Sequence, residues 1–417
     1  MSIRYICNLP DDCLRPIFEQ FTTLQQLQIR LTCSRFSTVI KGIFRGKRVL
    51  KVFGSVENAS YYKSSVEKLN LKNFYEGNRT NPEETVSLIV RSHGPKEEND
   101  SHFLASLFPN TDHLVVYCLH LLSIDVAHLL EHLPNLTSVT LFGMTKASPK
   151  QQTQTWLRIA QLEKLERLHL FEMKNCSLPV DILPRLSQLS HFSLSDYYSG
   201  DLVPVLSSLQ CQRLSLDWIN CPMDDFEQAL SEKNANLCER LTSLTLGQFY
   251  ITKLSPMDSV ELLPFICRQF TELTHLDLGF VLEVSTQVFL IAITVYCTID
   301  NFSTADQIPL VHAAKHLSRL VSLQTLSLVV RSSALDNFIR HPPMPLPGVH
   351  TLTLHRFCIC FYKDSTSRSA RIHLGELFPS LEQLTVRSKC TKCVREVGSF
   401  AFGEGASKLK TVQVQLM

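Results

Sequence analysis

From residue 66 onward one six-residue phrase keeps returning: an apolar residue, two others, an apolar residue, one other, an apolar residue. It reads "VEKLNL" at Val66, "LTSVTL" at Leu136, "LERLHL" at Leu165, "LSHFSL" at Leu189 and "CQRLSL" at Cys211. It continues as "LTSLTL" at Leu241, "LTHLDL" at Leu273, "LQTLSL" at Leu323, "VHTLTL" at Val349, "LEQLTV" at Leu381 and "LKTVQV" at Leu409. With a weaker copy, "TDHLVV" at Thr111, that makes twelve, mostly 22 to 32 residues apart. Such a period constrains the fold more than composition does, because one unit cannot bury its apolar side alone and must lean on its neighbours. The last four positions alternate, so Leu168 and Leu170 share one face of a strand and Arg167 and His169 the other. Strands should therefore stack in parallel, one per copy. The segments between them return across the back, and three have helical spacing with cap residues: Ser123 to Leu133, Ser148 to Leu162 and Asp258 to Phe270.

The phrase resembles the leucine-rich repeat. Many members of that family carry Asn or Cys three residues after the last apolar position, hydrogen-bonded along the stack. Here the position holds Phe74, Leu119, Met144, Met173, Tyr197, Ile219, Phe249, Val281, Phe357 and Met417, with only Arg331 and Lys389 charged. A hydrophobic spine is expected in place of the polar ladder. Two gaps break the rhythm. One of 45 residues precedes the Thr111 copy and contains "TVSLIV" (Thr85 to Val90), a degenerate extra repeat. One of 50 follows Leu273 and holds an irregular insertion near 284–308.

Ahead of the repeats, "NLPDDCLRPIFEQF" places Leu14, Ile17, Phe18 and Phe21 on one stripe of a short helix, with Asp11 and Asp12 as cap candidates. A second helical pattern follows through Leu24, Leu27, Leu31, Phe36, Val39 and Ile40. About forty residues is close to the lower limit for a domain that folds alone, so this segment should finish its packing against something else. Leu9 to Ile40 resembles the F-box on Leu9, Pro10, Leu14, Ile17, Phe18 and Cys33, with Phe21 for the usual Leu and Phe36 for the usual Trp. Thr32 stands where Val is usual, and Pro16 falls inside the first helix, where it removes a hydrogen bond. The resemblance implies that Leu9, Pro10, Leu14, Ile17, Phe18, Phe21, Leu27, Leu31 and Phe36 bind the Skp-family adaptor of an SCF (Skp–cullin–F-box) ubiquitin ligase, and through it cullin. Simple capping of the first repeat is the competing structural reading.

The remaining chemistry points away from catalysis. Lys plus Arg number 41 against 39 acidic residues, and a net charge of +2 gives no reason to expect nucleic acid or an anionic membrane. The densest basic cluster, Lys41 to Lys51, reads as a solvated connector. The longest apolar run, Val288 to Ile299, falls short of the ~20 residues that span a bilayer. Fourteen cysteines without regular pairing and residues 1–10 without an apolar h-region predict free thiols in the cytoplasm or nucleus. Cys358 and Cys360 with Cys390 and Cys393 have partly zinc-compatible spacing, but buried or surface thiols are expected. No cofactor or metal is expected, "GEGAS" at Gly403 reads as a turn, and no nucleophile arrangement can be read.

The fold class expected is α/β: a leucine-rich-repeat solenoid with parallel strands on the concave face and helices outside, carrying a small all-α F-box. Residues 1–48 form the F-box-like domain and 49–417 the solenoid of about twelve divergent repeats. Function is then expected on outward strand positions: Tyr117, Phe142, Arg167, His169, Phe171, His191, Arg213, Asp217 and His275, with Trp218 just past its strand. Exposed aromatics and Arg dominate binding hot spots; the alternative is that the rings pack on one another across the sheet. The chain reads as a non-enzyme, a substrate receptor for an unidentified protein in an SCF-type cullin–RING ligase. Its rival is a leucine-rich-repeat scaffold or inhibitor that never joins a ligase.

Overall fold

The computed structural model describes residues 6, 8–21, 23–53, 85–89, 98–117, 125–144, 147–173, 178–179, 182–197, 202–220, 223–230, 235–246, 249–250, 265–281, 319–329, 345–355, 378–388 and 408–416. The copy at Val66, the insertion near 284–308 and the four cysteines Cys358, Cys360, Cys390 and Cys393 lie outside them. The chain divides into two compact units, Met1–Gly200 and Asp201–Met417.

The first unit opens with three helices, α1 (Asp11–Glu19), α2 (Thr23–Ile29) and α3 (Ser34–Arg45). Neither Asp11 nor Asp12 is the N-cap of α1; Pro10 holds that position without a side-chain cap. Asp11 already lies in the first turn, and its Oδ1 instead accepts from Arg35 Nη2 at 2.7 Å and Nε at 3.0 Å, tying α1 to α3. Pro16 sits inside α1 on its exposed side, where water can take the carbonyl it frees. Gln26 was not singled out by the apolar pattern, yet it is buried and its Nε2 donates to Phe18 O at 2.8 Å and Phe21 O at 3.1 Å. It thereby satisfies carbonyls that the end of α1 leaves open. The amphipathic α3 buries Phe36, Val39, Ile40, Ile43 and Phe44.

Beyond α3 come β1 (Val49–Phe53), β2 (Thr85–Ile89), α4 (Glu98–Leu107), β3 (His113–Tyr117), α5 (Val126–Glu131), β4 (Ser138–Phe142), α6 (Pro149–Gln161), β5 (Arg167–Phe171), α7 (Leu183–Leu186) and β6 (His191–Tyr197). The strand order is β6-β5-β4-β3-β1-β2, and the pairs from β2 to β6 are parallel. "TVSLIV" does form a strand, but β2 pairs on the outer side of β1, not between β1 and β3. Apolar phrase positions make the core: Leu114, Val116, Val139, Leu141, Leu168, Leu170, Phe192 and Leu194 are buried. Full burial of such a side chain contributes about 1.5–3 kcal/mol. Met144 and Met173 are buried as the hydrophobic spine requires. They follow residues in the left-handed region, Gly143 (φ 69) and Glu172 (φ 56), which turn the chain inward after β4 and β5.

Asp125 caps α5, accepting from Ala127 N at 2.9 Å. Ser148 and Gln151 form a reciprocal capping box at α6 with Pro149 in the first turn. Of the segment from Asp258 to Phe270, residues 265–269 are helical and the earlier part lies outside the described residues.

The second unit contains α8 (Leu202–Ser208), β7 (Arg213–Asn220), α9 (Met223–Ala229), α10 (Ala235–Arg240), β8 (Ser243–Leu246), β9 (Phe249–Tyr250), β10 (His275–Val281), β11 (Thr325–Val329), β12 (Thr351–His355), β13 (Gln383–Ser388) and β14 (Thr411–Leu416). The order is β14-β13-β12-β11-β10-β8-β7, with β9 beside the far end of β7. Leu214, Leu216, Leu244, Leu276, Leu326, Leu352, Leu384 and Val386 fill its core.

One backbone device recurs at the start of most strands. A carbonyl two residues into a phrase accepts two consecutive N–H groups of the next copy. Thr137 O accepts from Glu166 N (2.9 Å) and Arg167 N (3.0 Å), and Thr274 O accepts from Gln324 N (2.9 Å) and Thr325 N (3.0 Å). Arg48 O does the same for Asp112 and His113, which marks β1 as another unit of the series. The sequence pattern passed over it because Lys47 occupies the first apolar position.

Candidate functional site

Two surfaces of the first unit carry most of the candidate residues. On the helical segment, the nine adaptor candidates separate by burial. Leu14 (0% exposed), Phe18 (2%) and Phe36 (7%) are the segment's own core, with Phe18 and Phe36 edge to face at 4.9 Å. Leu9 and Leu27 are half-buried and Pro10 is exposed. Ile17 (41% exposed), Phe21 (39%) and Leu31 (80%) lie open to solvent on α1 and on the turns that follow α1 and α2. The stripe expected from spacing is therefore two-sided: Leu14 and Phe18 face α3, while Ile17 and Phe21 face away. The same helices also lean on the strands' first helix. Phe44 packs on Phe108 at 5.1 Å, Arg30 lies 5.4 Å over the Phe103 ring, and Asn110 Nδ2 donates to Arg45 O at 2.7 Å. Arg48 is ion-paired with Asp112. Capping of the strand array is thus real, and it uses a different side of the segment from Ile17, Phe21 and Leu31.

On the sheet, the side opposite the leucines is organised in rows by the parallel register. The outermost row holds Phe53, Tyr117, Phe142 and Phe171. Their rings stack in sequence, Phe53–Tyr117 at 4.3 Å and 6°, Tyr117–Phe142 at 4.6 Å and 11°, and Phe142–Phe171 at 4.6 Å and 18°. Tyr117, Phe142 and Phe171 are buried, which corrects the expectation that they present open faces to a partner. In-register parallel strands lie ~4.8 Å apart, close to a ring-stacking distance, so a ring at the same position of successive copies finds its neighbour before it finds solvent. His169 is also buried and hydrogen-bonds through Nδ1 to Ser193 Oγ at 3.0 Å. Arg167 and His191 are half-buried. In the second unit Arg213 is exposed, and Asp217 and His275 are half-buried. Trp218 lies within β7, not past it, and its side chain is outside the described residues.

The buried imidazoles have a measurable consequence. Burial, helped by His113, His191 and Arg167, pushes the His169 pKa down to about 3. Burial, Arg167 and Lys51, opposed by Asp112, bring His113 to about 4. An unfolded chain protonates both near 6.5. The folded chain therefore binds fewer protons between those values, and this stability is complete above about pH 6.5 and drains away as pH falls toward 4 and then 3. Between pH 7 and 5 each histidine should remove about 2 kcal/mol. Stability measured by urea unfolding should drop over that range in the wild type, and His169→Gln should shrink the drop by about 2 kcal/mol. An unchanged pH slope in that variant would show that His169 does not titrate on unfolding.

Among the described residues no group of three His, Cys, Asp or Glu side chains is placed to hold a metal ion, and no described helix is long and apolar enough to cross a membrane. Residues 6–46 match the F-box domain. The F-box is thus α1 to α3, and its exposed apolar residues are Ile17, Phe21 and Leu31. The chain is also similar to a chain in the crystal structure of the Rad7 and Elc1 complex in yeast, at 15% identity and a TM-score of 0.42, over 93% of each chain. No curated protein matches it.

Proposed function

We propose that this chain is the substrate-recognition subunit of an SCF-type cullin–RING ubiquitin ligase, a non-enzyme acting in the cytoplasm or nucleus. F-box domains bind Skp-type adaptors, and the observation that carries this reading is an F-box at residues 6–46 with Ile17, Phe21 and Leu31 left open. Exposed apolar side chains on a small helical segment are the kind of surface that a partner's helices cover. The parallel sheet is read as a divergent leucine-rich-repeat solenoid that holds the substrate. Candidate contacts are polar side chains of its outward face that keep some exposure: Arg167 and His191 in the first unit, Arg213, Asp217 and His275 in the second. The chain supplies no reacting group; holding a substrate near a ubiquitin-conjugating enzyme raises the local concentration of the acceptor lysine.

The test is co-purification. The full chain expressed with a Skp-family adaptor should elute from size exclusion as a one-to-one complex and should capture cullin only when adaptor is present. Failure to form that complex with a folded chain would favour a scaffold that never joins a ligase.

A further inference from the structure

The helices of the first unit carry a histidine cluster that neither the repeat pattern nor the F-box uses. Val126, Ala127, Leu129 and Leu130 of α5 are buried. The helix thus turns its other face outward, with Glu131 exposed and His128 and the C-cap His132 half-buried. A spacing of four sets the two imidazoles one turn apart on that face. Their Nε2 atoms lie 3.2 Å apart, with the rings nearly perpendicular at 86°. Glu131 decides which nitrogen carries the proton. Its Oε2 lies 3.3 Å from His128 Nδ1, and a carboxylate there favours the proton on Nδ1 and leaves the Nε2 lone pair open. His132 then donates from Nε2 to that lone pair. Arg158 Nη2 holds Glu131 at 2.8 Å, and Arg158 Nη1 donates to Gln161 Oε1 at 2.9 Å, so this cation is compensated by the carboxylate. His102 of α4 stands edge-on to His132 with ring centroids 4.9 Å apart. Ser101 Oγ donates to Asp125 O at 2.8 Å, which holds α4 against α5.

We propose that His128 and His132 form a two-imidazole site for a divalent transition-metal ion of the zinc class, with water in its remaining positions. Imidazole nitrogen bonds zinc at ~2.0–2.1 Å. With the Nε2 atoms 3.2 Å apart, that bond length sets an N–metal–N angle of roughly 100–105°, close to the ~109° of a tetrahedron. Calcium and magnesium do not suit the pair, because those ions take oxygen ligands. Glu131 stands behind His128 where metal-bound imidazoles usually have a carboxylate on the other nitrogen. The ion takes the place of the proton between the rings. His132 gives its Nε2 proton to water and takes one at Nδ1, so it stays neutral and its Nε2 lone pair turns to the metal. Among the described residues no third side chain completes the set, so the site is open and exchangeable, unlike a closed structural zinc site.

The probe is zinc chloride titrated into the chelator-treated full chain at neutral pH, with magnesium chloride as the control, read by calorimetry and thermal shift. Saturable binding that magnesium does not reproduce is expected, with a rise in melting temperature. His128→Gln and His132→Gln should each weaken zinc binding at least tenfold. Both rings are half-buried on an outward face, so the melting temperature of either variant in chelator should stay close to wild type. Glu131→Gln, which touches no ion, should weaken binding severalfold by releasing His128. Cobalt(II) separates this site from the chain's thiols: its visible bands from the imidazole pair should vanish in both histidine variants. Absence of saturable zinc binding, zinc binding equal in wild type and both histidine variants, or cobalt bands that persist in both, overturns the site. Because these measurements use the chain without adaptor, their failure leaves the ligase reading standing.

Discussion

The variant carrying Ile17→Asp and Phe21→Asp is expected to lose adaptor binding by at least about a thousandfold, on the order of 4 kcal/mol. Both side chains are open to solvent in the chain by itself, so neither is needed to hold the F-box together. In a complex each would be buried, where an apolar side chain contributes about 1.5–3 kcal/mol and an unpaired carboxylate costs several more. Circular dichroism and urea unfolding should stay close to wild type, because exposed substitutions usually shift stability by less than about 0.5 kcal/mol. Phe18→Asp is the informative contrast. Phe18 lies under α3 against Phe36, so that change should unfold the F-box and remove adaptor binding through loss of structure. Full adaptor capture by the double variant at wild-type stability would show that the exposed side of α1 is not the docking surface.

Phe142→Ala is expected to destabilise the first unit by about 3–5 kcal/mol, the usual cost of emptying a buried aromatic site. Phe142 has a ring stacked on each side, Tyr117 and Phe171, and it is buried. Phe171→Ala should cost less, since the described stack gives Phe171 a ring on one side, at Phe142. Urea midpoints of the two variants, compared with wild type, measure the difference. Protein capture should fall only in proportion to the unfolded fraction. If Phe142→Ala kept its unfolding midpoint but lost a bound protein, the ring would be a contact residue after all.

Much of the fold was legible because period is a one-dimensional property. Copies from Thr111 to Leu409 each formed a strand where the phrase stood, since leucines that alternate within a copy and recur between copies have one shared way to leave water. Composition could not reveal β1, because Lys47 breaks the phrase. It emerges from pairing, where Arg48 O accepts the N–H groups of Asp112 and His113. The F-box segment was likewise legible as helices with apolar stripes, and the F-box match covers residues 6–46.

What the sequence by itself determined was which residues share a strand face or a helix stripe. What only the tertiary structure decided was what each face meets. Alternation placed Phe142 and Phe171 opposite the leucines, yet only the in-register stack put their rings 4.6 Å apart, and only the folded chain took them out of solvent. Spacing placed Ile17 and Phe18 on one helix, yet only the approach of α3 buried Phe18 and left Ile17 open. Register alone made neighbours of His113, Ser138 and Arg167, which lie 25 to 54 residues apart in the chain. Periodicity fixes the direction of a side chain relative to its own backbone. Exposure and partnership depend on the second backbone that arrives, and that is set by contacts distant in sequence.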